Sequence, residues 1–357
     1  MDKKIFFVTL ALSLLLAACT PAASPTTQPG TPTALTVMTH DSFSVSEEVL
    51  SAFETANNIK VNFVKGGDTG AALNRLLLES LSDGTPSADV FFGLDNTFLS
   101  RALEQDLLEP YNAPQLELIP AEFKLDSENR ALPVDYGDIC INYDKSWFEK
   151  NALPVPTTLT ELTDPQYANL LVVENPSTSS PGLGFMLATI AEFGEDGWLD
   201  WWQAMKNNGV QITSDWETAY YTNFSGSSGK GAQPMVVSYA SSPAAEFIYA
   251  ETALSESPTA SLVGAGMCWR QVEFAGILKG TKNRAAAEKF IDFLLSQAFQ
   301  EDVPMQMFVF PVLPAAAIPE AFQLTVESPL EPASLSPEII ASQRDAWINA
   351  WTNLMLN

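Results

Sequence analysis

Residues 131–143 read ALPVDYGDICINY. This is a long β-rich run with no helical segment inside it, and it interrupts a regular alternation on its N-terminal side. Upstream, 35–38 is a short β-rich run, and 46–56 carries Val49, Leu50 and Phe53 at helical spacing. Residues 60–64 alternate as a second strand, 71–81 pattern as a helix, 88–93 form a third strand and 96–105 another helix. Strands alternating with helical segments of about ten to fifteen residues are the βαβ signature of an open, mainly parallel sheet. The uninterrupted apolar run Val90-Phe91-Phe92 suits a sheet covered on both faces. The break at 131–143 therefore reads as a strand crossing from one lobe to another. A second α/β block follows at about 154–264, and 268–278 is a second β-rich run that supplies the return crossing. Helical patterns at 283–296 and 337–354 are expected to rejoin the first lobe. The fold class expected is α/β with two lobes. Each is an open, mainly parallel sheet flanked by helices, with two crossing strands as hinge and a cleft between. The first lobe would comprise 34–134 and 275–357, the second 135–274.

The N-terminus reads as an address. Asp2-Lys3-Lys4 is a short positive segment, and 5–16 is apolar but shorter than the roughly 20 residues a membrane-spanning helix needs. Leu16-Ala17-Ala18-Cys19 resembles a bacterial lipoprotein cleavage box. Residues 1–18 are thus expected to be removed and Cys19 to be lipidated. Residues 19–33 are rich in Pro, Thr, Ser and Ala without charge, the composition of a flexible tether. The expected location is extracytoplasmic, lipid-anchored and without a transmembrane helix.

Composition narrows the chemistry. Against 43 acidic side chains the chain has 18 basic ones, a formal net charge of −25. That excess argues against a nucleic-acid partner, whose phosphates need clustered Lys and Arg. His40 is the single histidine, which handicaps Ser-His-Asp, Cys-His and His-zinc schemes. There is no Gly-x-Ser-x-Gly elbow and no His-Glu-x-x-His helix, so neither an enzyme nor a cofactor is expected. Cys140 and Cys268 could pair in an oxidising compartment or remain two separate buried thiols; both stay open.

Three loops share one character. Gly66–Gly70 offers Asp68 or Thr69 as a helix N-cap. Ser177–Gly182 and Ser241–Glu246 each place Ser-Pro before an apolar helix, and Glu246 invites a capping box. One such loop is an ordinary helix start. Three in a two-lobed chain point to a ligand cleft, because helix N-termini present free N–H groups near the strand carboxyl ends. Trp216, Tyr220, Tyr221, Tyr239, Trp269 and Phe308 lie near these loops, and aromatic faces attract flat rings and organic cations. Trp198, Trp201 and Trp202 follow a helical stripe beside Met205 and read as core.

With these motifs in hand, the chain resembles the thiamine-binding proteins of bacterial ABC importers. The matching pieces, in family order, are THDSF at 39–43, ADVFFGLDN at 88–96, PVDYG at 133–137 and NPSTSSPGLG at 175–184. They continue with DWETAY at 215–220, VVSYASSPA at 236–244, RQVEFA at 270–275 and RDAWINAW at 344–351. The resemblance implies the type II periplasmic-binding-protein fold and a monomeric receptor that hands thiamine or its phosphates to an ABC permease and ATPase. It implies Trp216 and Tyr239 as aromatic walls, Asp68 and Thr69 as first-lobe contacts and Ser179 as a hydroxyl contact. His40 falls where the family often has tyrosine, and Phe308 where it has tryptophan; both keep a flat ring but change the hydrogen bonding. The alternative is a ferric-ion-binding protein of the same fold using the adjacent pair Tyr220 and Tyr221, since hard oxygen ligands suit a hard cation.

Overall fold

The computed structural model describes residues 31–81, 85–228, 230–329 and 331–357. The expected signal peptide at 1–18, the lipidation site Cys19 and residues 19–30 of the tether lie outside these. Among the described residues no helix is long and apolar enough to cross a membrane.

The first block is the alternation expected: β1 (Thr33–Thr39), α1 (Glu47–Asn57), β2 (Ile59–Lys65), α2 (Thr69–Ser80), β3 (Val90–Asp95) and α3 (Leu99–Glu104). β1 begins at Thr33, so the last residue of the expected tether is already strand. Ser46 starts α1 by accepting the Val49 N–H. β1 lies between β2 and β3, parallel to both. All six residues of β3 are buried, as a strand covered on both faces requires.

After the short β4 (Leu108–Glu109), the run at 131–143 becomes β5 (Leu132–Asp144). The second block follows as α4 (Lys145–Asn151), β6 (Leu171–Glu174), α5 (Ser180–Asn207), β7 (Gln211–Thr213), β8 (Met235–Tyr239), α6 (Ser242–Ile248) and β9 (Thr259–Leu262). The return run is β10 (Trp269–Leu278). The chain then adds α7 (Arg284–Leu294), α8 (Gln297–Gln306), β11 (Phe310–Pro311), α9 (Glu320–Thr325) and α10 (Pro337–Met355). β6 lies between β7 and β8, parallel to both. The strand order is β2-β1-β3-β10-β5-β8-β6-β7. Two parallel triads are therefore joined through β10 and β5, which run antiparallel to each other because the chain crosses once in each direction.

Cys140 on β5 and Cys268, the residue before β10, sit side by side, next to the pairing of Trp269 with Ile139. They form a disulfide with Cα atoms 4.4 Å apart, which resolves the alternative left open by sequence. Both cysteines are fully buried beside Ala240.

Trp198, Trp201 and Trp202 are core residues, as their stripe suggests. α10 does not simply rejoin the first lobe, because its main packing is on α5 of the second. Trp351 meets Trp202 edge-on at 5.4 Å, while the buried Arg344 reaches the Ser100 hydroxyl of α3 at 2.9 Å. The apolar face of α10 is wide enough to serve both lobes, and spacing alone does not say which neighbour fills it.

The disulfide closes a long loop, and such closure stabilises chiefly by restricting the unfolded chain. Replacing Cys140 and Cys268 together by Ser should lower the urea-unfolding free energy by about 2–5 kcal/mol. An unchanged midpoint and slope would show that the bond adds nothing to stability.

Candidate functional site

The carboxyl ends of β1, β2, β3, β6 and β8 converge where the triads face each other, the usual ligand position in open α/β sheets. A cavity of about 420 Å3 lies there. His40, Asp68, Thr69, Trp216, Tyr239 and Phe308 all line it. Ser179 does not: it is fully buried behind the wall, and Ser180 takes the lining position and donates its hydroxyl to Asp95.

The helix-start loops do not cap as expected. Asp68, Ser179 and Ser241 hold the N-cap positions of α2, α5 and α6, yet none makes a side-chain cap hydrogen bond. Glu246 lies two residues too far along for a capping box and accepts the Tyr220 hydroxyl at 3.1 Å instead. Asp68 accepts the Trp216 backbone N–H across the cleft at 3.0 Å. Also across the cleft, Ala71 N–H donates to the Thr178 carbonyl at 3.2 Å, and the Tyr249 hydroxyl to the Met305 carbonyl at 3.2 Å. These bonds hold the lobes closed over the cavity.

The aromatic wall is built in layers. The Trp216 ring stacks on Tyr220 at 5.0 Å and meets Tyr221 edge-on at 5.5 Å, and its indole N–H donates to the Ser238 hydroxyl at 2.9 Å. The Tyr239 ring lies against Gly137, where an added Cβ would come within 2.8 Å of it, so only glycine permits this seat. Its hydroxyl donates to Gln271 at 2.6 Å. Phe308 holds a left-handed backbone, φ 55°, and its ring meets Tyr249 edge-on at 5.5 Å.

This packing weighs against Tyr220 and Tyr221 as a ferric-ion pair. Tyr220 is 2% exposed and its hydroxyl is committed to Glu246. Burial, and then the Glu246 charge, push its pKa well above the ordinary phenol value, the opposite of what a phenolate ligand needs. Among the described residues no group of three or more His, Cys, Asp or Glu side chains is placed to hold a metal ion.

Asp68 and Glu273 line the cavity, and further acids lie buried in the strands beside it. Burial lifts the Asp68 pKa to about 6, against the opposing pull of the Ser179 hydroxyl and the Trp216 N–H. Burial likewise lifts Asp95 to about 6, against its Ser180 and Thr97 hydrogen bonds. Glu174 and Asp135 are pushed well above the ordinary carboxyl range by burial first, then by Asp68 and by Glu273 respectively. His40 packs on Gly93, whose φ of 95° and lack of Cβ make room; an added Cβ would lie 2.4 Å from the imidazole Cδ2. Its Nε2 is 3.6 Å from Glu273 Oε2. Burial opposes a charge on His40, but Glu273, Asp68 and Asp41 overcome it and raise its pKa.

Sequence reading does not single out Glu273, Ser180 or Tyr249 as site residues. Glu273 left the clearest signal, a lone acid inside the apolar run of β10.

Chain similarity agrees with this geometry. Residues 85–324 match the family described as bacterial extracellular solute-binding protein. A thiamine-binding periplasmic protein of Salmonella typhimurium is 32% identical over 89% of this chain and 92% of its own length. One from Escherichia coli K12 is 31% identical over the same shares, 89% and 92%. A solved periplasmic thiamin binding protein superposes with a TM-score of 0.77 at 29% identity, covering 91% of this chain and 96% of its own.

The buried acids predict the sign of the pH dependence. Asp68, Asp95, Asp135 and Glu174 hold protons more tightly when folded, so each destabilises as pH rises through its raised value. His40, also raised, stabilises below its ordinary 6.5, and that contribution is lost as pH rises through its folded value. The Glu273 pKa is lowered and acts in the opposite direction, but only below its ordinary 4.5. The melting temperature of the unliganded protein should therefore rise on acidification from about pH 7.5 to about 5.5. A flat or falling curve over that window in scanning calorimetry would contradict these assignments.

Proposed function

The chain belongs to the bacterial extracellular solute-binding protein family, and from that premise we propose that it captures thiamine, and its phosphates, for delivery to an ABC importer. One observation carries the reading: an interlobe cavity of about 420 Å3 combines stacked aromatic walls with buried carboxyls. That volume falls in the usual ligand-pocket range of roughly 300–1,000 Å3. Thiamine is a flat pyrimidine joined to a flat, permanently cationic thiazolium. Aromatic faces bind such rings by stacking and cation–π contact, and a carboxyl offsets the charge. Trp216, Tyr239, Phe308 and His40 supply the rings, Asp68 and Thr69 the polar contacts from the first lobe. Ser179 acts from behind Asp68, with Ser180 on the surface facing the ligand.

Capture is a hinge motion. The lobes, 34–134 with 275–357 and 135–274, close about β5 and β10, with α10 strapped across both. Contacts made only when closed shift the population toward the closed state. Nothing in this mechanism makes or breaks a covalent bond. The receptor is a monomer outside the cytoplasm, held to the membrane by lipid on Cys19 after loss of 1–18, and its partners are the permease and ATPase of the importer.

Isothermal titration of the purified protein with thiamine, its monophosphate and its diphosphate tests the reading, alongside an assay for released phosphate. Saturable binding without phosphate release is expected. Absence of heat with all three ligands would sink the proposal. Trp216→Ala should weaken thiamine binding by about 1–3 kcal/mol through lost stacking. An unchanged dissociation constant would remove Trp216 from the site.

A further inference from the structure

Glu273 occupies a place that stacking and lobe closure do not explain. In register it stands between Asp95 of β3 on one side and Asp135 of β5 on the other. Directly opposed residues on neighbouring strands project to the same face. Three carboxyls thus form a row across the middle of the sheet, at 0%, 7% and 0% exposure for Asp95, Glu273 and Asp135. Like charges at such spacing, out of water, cannot all be ionised.

Their partners divide the roles. Asp95 accepts the Thr97 N–H at 2.7 Å, the Thr97 hydroxyl at 2.5 Å and the Ser180 hydroxyl. No donor reaches either oxygen of Asp135. With no donor and Glu273 opposite, Asp135 suits the protonated form. Glu273 lines the cavity and has His40 as its cationic neighbour at 3.6 Å, yet His40 Nε2 makes no hydrogen bond. The ionisable groups around this pair come from every packed element. Asp68 at the start of α2 and Asp41 in the loop after β1 face His40. Asp95, Asp135 and the Tyr239 phenol surround Glu273. Lys65 at the end of β2 also lines the cavity, and donates to the Asp41 carbonyl.

We propose that Glu273 is the specificity-determining carboxylate of this cavity, that His40 is its stand-in counter-ion when the cavity is empty, and that a cationic ring entering beside Glu273 displaces the His40 proton. The inference rests on the thiamine reading above. Two cations sharing one carboxylate in a poorly solvated site repel each other, and the imidazolium is the one that can yield. Its N–H bond breaks, the proton passes to solvent, and the ligand's fixed charge takes over the pairing. Site charge is conserved, and a neutral ligand of the same shape gains nothing from the exchange. Binding should therefore tighten with rising pH, by up to about tenfold per unit between the bound and free His40 midpoints.

His40 is the chain's one histidine, so in untagged protein a single imidazole signal reports it. NMR titration of histidine-labelled protein, free and saturated with thiamine, should show the midpoint falling by about one unit or more on saturation. Calorimetry in buffers of different ionisation enthalpy should show proton release, and an uncharged thiamine analogue should leave the midpoint where it was. Glu273→Gln should lose at least about tenfold in thiamine affinity; if that variant does not fold, the wild-type titration still decides. Thiamine binding with an unmoved His40 midpoint would overturn this inference and leave the thiamine reading intact. No thiamine binding at all would overturn both.

Discussion

The antiparallel pairing of β5 with β10 is the constraint on which the rest of the molecule depends. Trp269 pairs with Ile139, and the ladder continues to Ala275 opposite Leu132, with a register shift between Glu273 and Phe274. The other edge of β10 pairs with β3, again with a shift, between Phe274 and Ala275. This one pair joins two parallel triads and turns their strand ends toward a common cleft. The Cys140–Cys268 bond ties the two strands near one end of the ladder. The irregular pairing at Glu273 to Ala275 lies away from it, near the cavity floor. Bulges increase local twist and re-aim side chains, and they are common beside functional sites. Here the shift lies next to Glu273, the residue that faces the ligand space.

From that pair the site follows by geometry. Tyr239 at the end of β8 pairs with Ile139 and rests its ring on Gly137, so one wall of the cavity is seated on β5 itself. Asp95 and Asp135 flank Glu273 because their strands flank β10. Closure adds the remaining polar contacts, with Asp68 receiving the Trp216 N–H from the opposite lobe. Asp68, Asp95 and Asp135 are not placed to favour stability, since burial raises the pKa of each. A buried carboxyl without a donor, such as Asp135, weakens the fold, and proteins retain such groups mainly where function uses them. The single histidine is the countercharge that makes the row tolerable when the cavity is empty.

Much of this is legible in the sequence, residue by residue. The helical spacing of Val49, Leu50 and Phe53, the apolar run Val90-Phe91-Phe92 and the unbroken β pattern of 131–143 are local signals with periods of 3.6 and 2. The stripe of Trp198, Trp201 and Trp202 reads as core for the same reason. The resemblance implied His40, Asp68, Thr69, Trp216, Tyr239 and Phe308 as one site, and for those at strand ends and helix starts the fold gives the reason, because open α/β sheets gather those ends together. Ser179 shows where that reasoning stops. A one-residue step along the start of a helix turns a side chain by about 100°, so Ser180 faces the cavity and Ser179 faces away.

Local periodicity, charge balance and the scarcity of histidine are properties of the chain alone. They determined an α/β architecture with two crossings and a cleft. The tertiary structure alone decided which partners the side chains take. Asp68 and Trp216 are 148 residues apart in the chain, and their bond depends on lobe closure. The disulfide, the seat of α10 on α5 and the row Asp95–Glu273–Asp135 depend in the same way on register and packing between distant segments. No local pattern encodes such pairings, because each side chain's partner is set by where another part of the chain comes to rest.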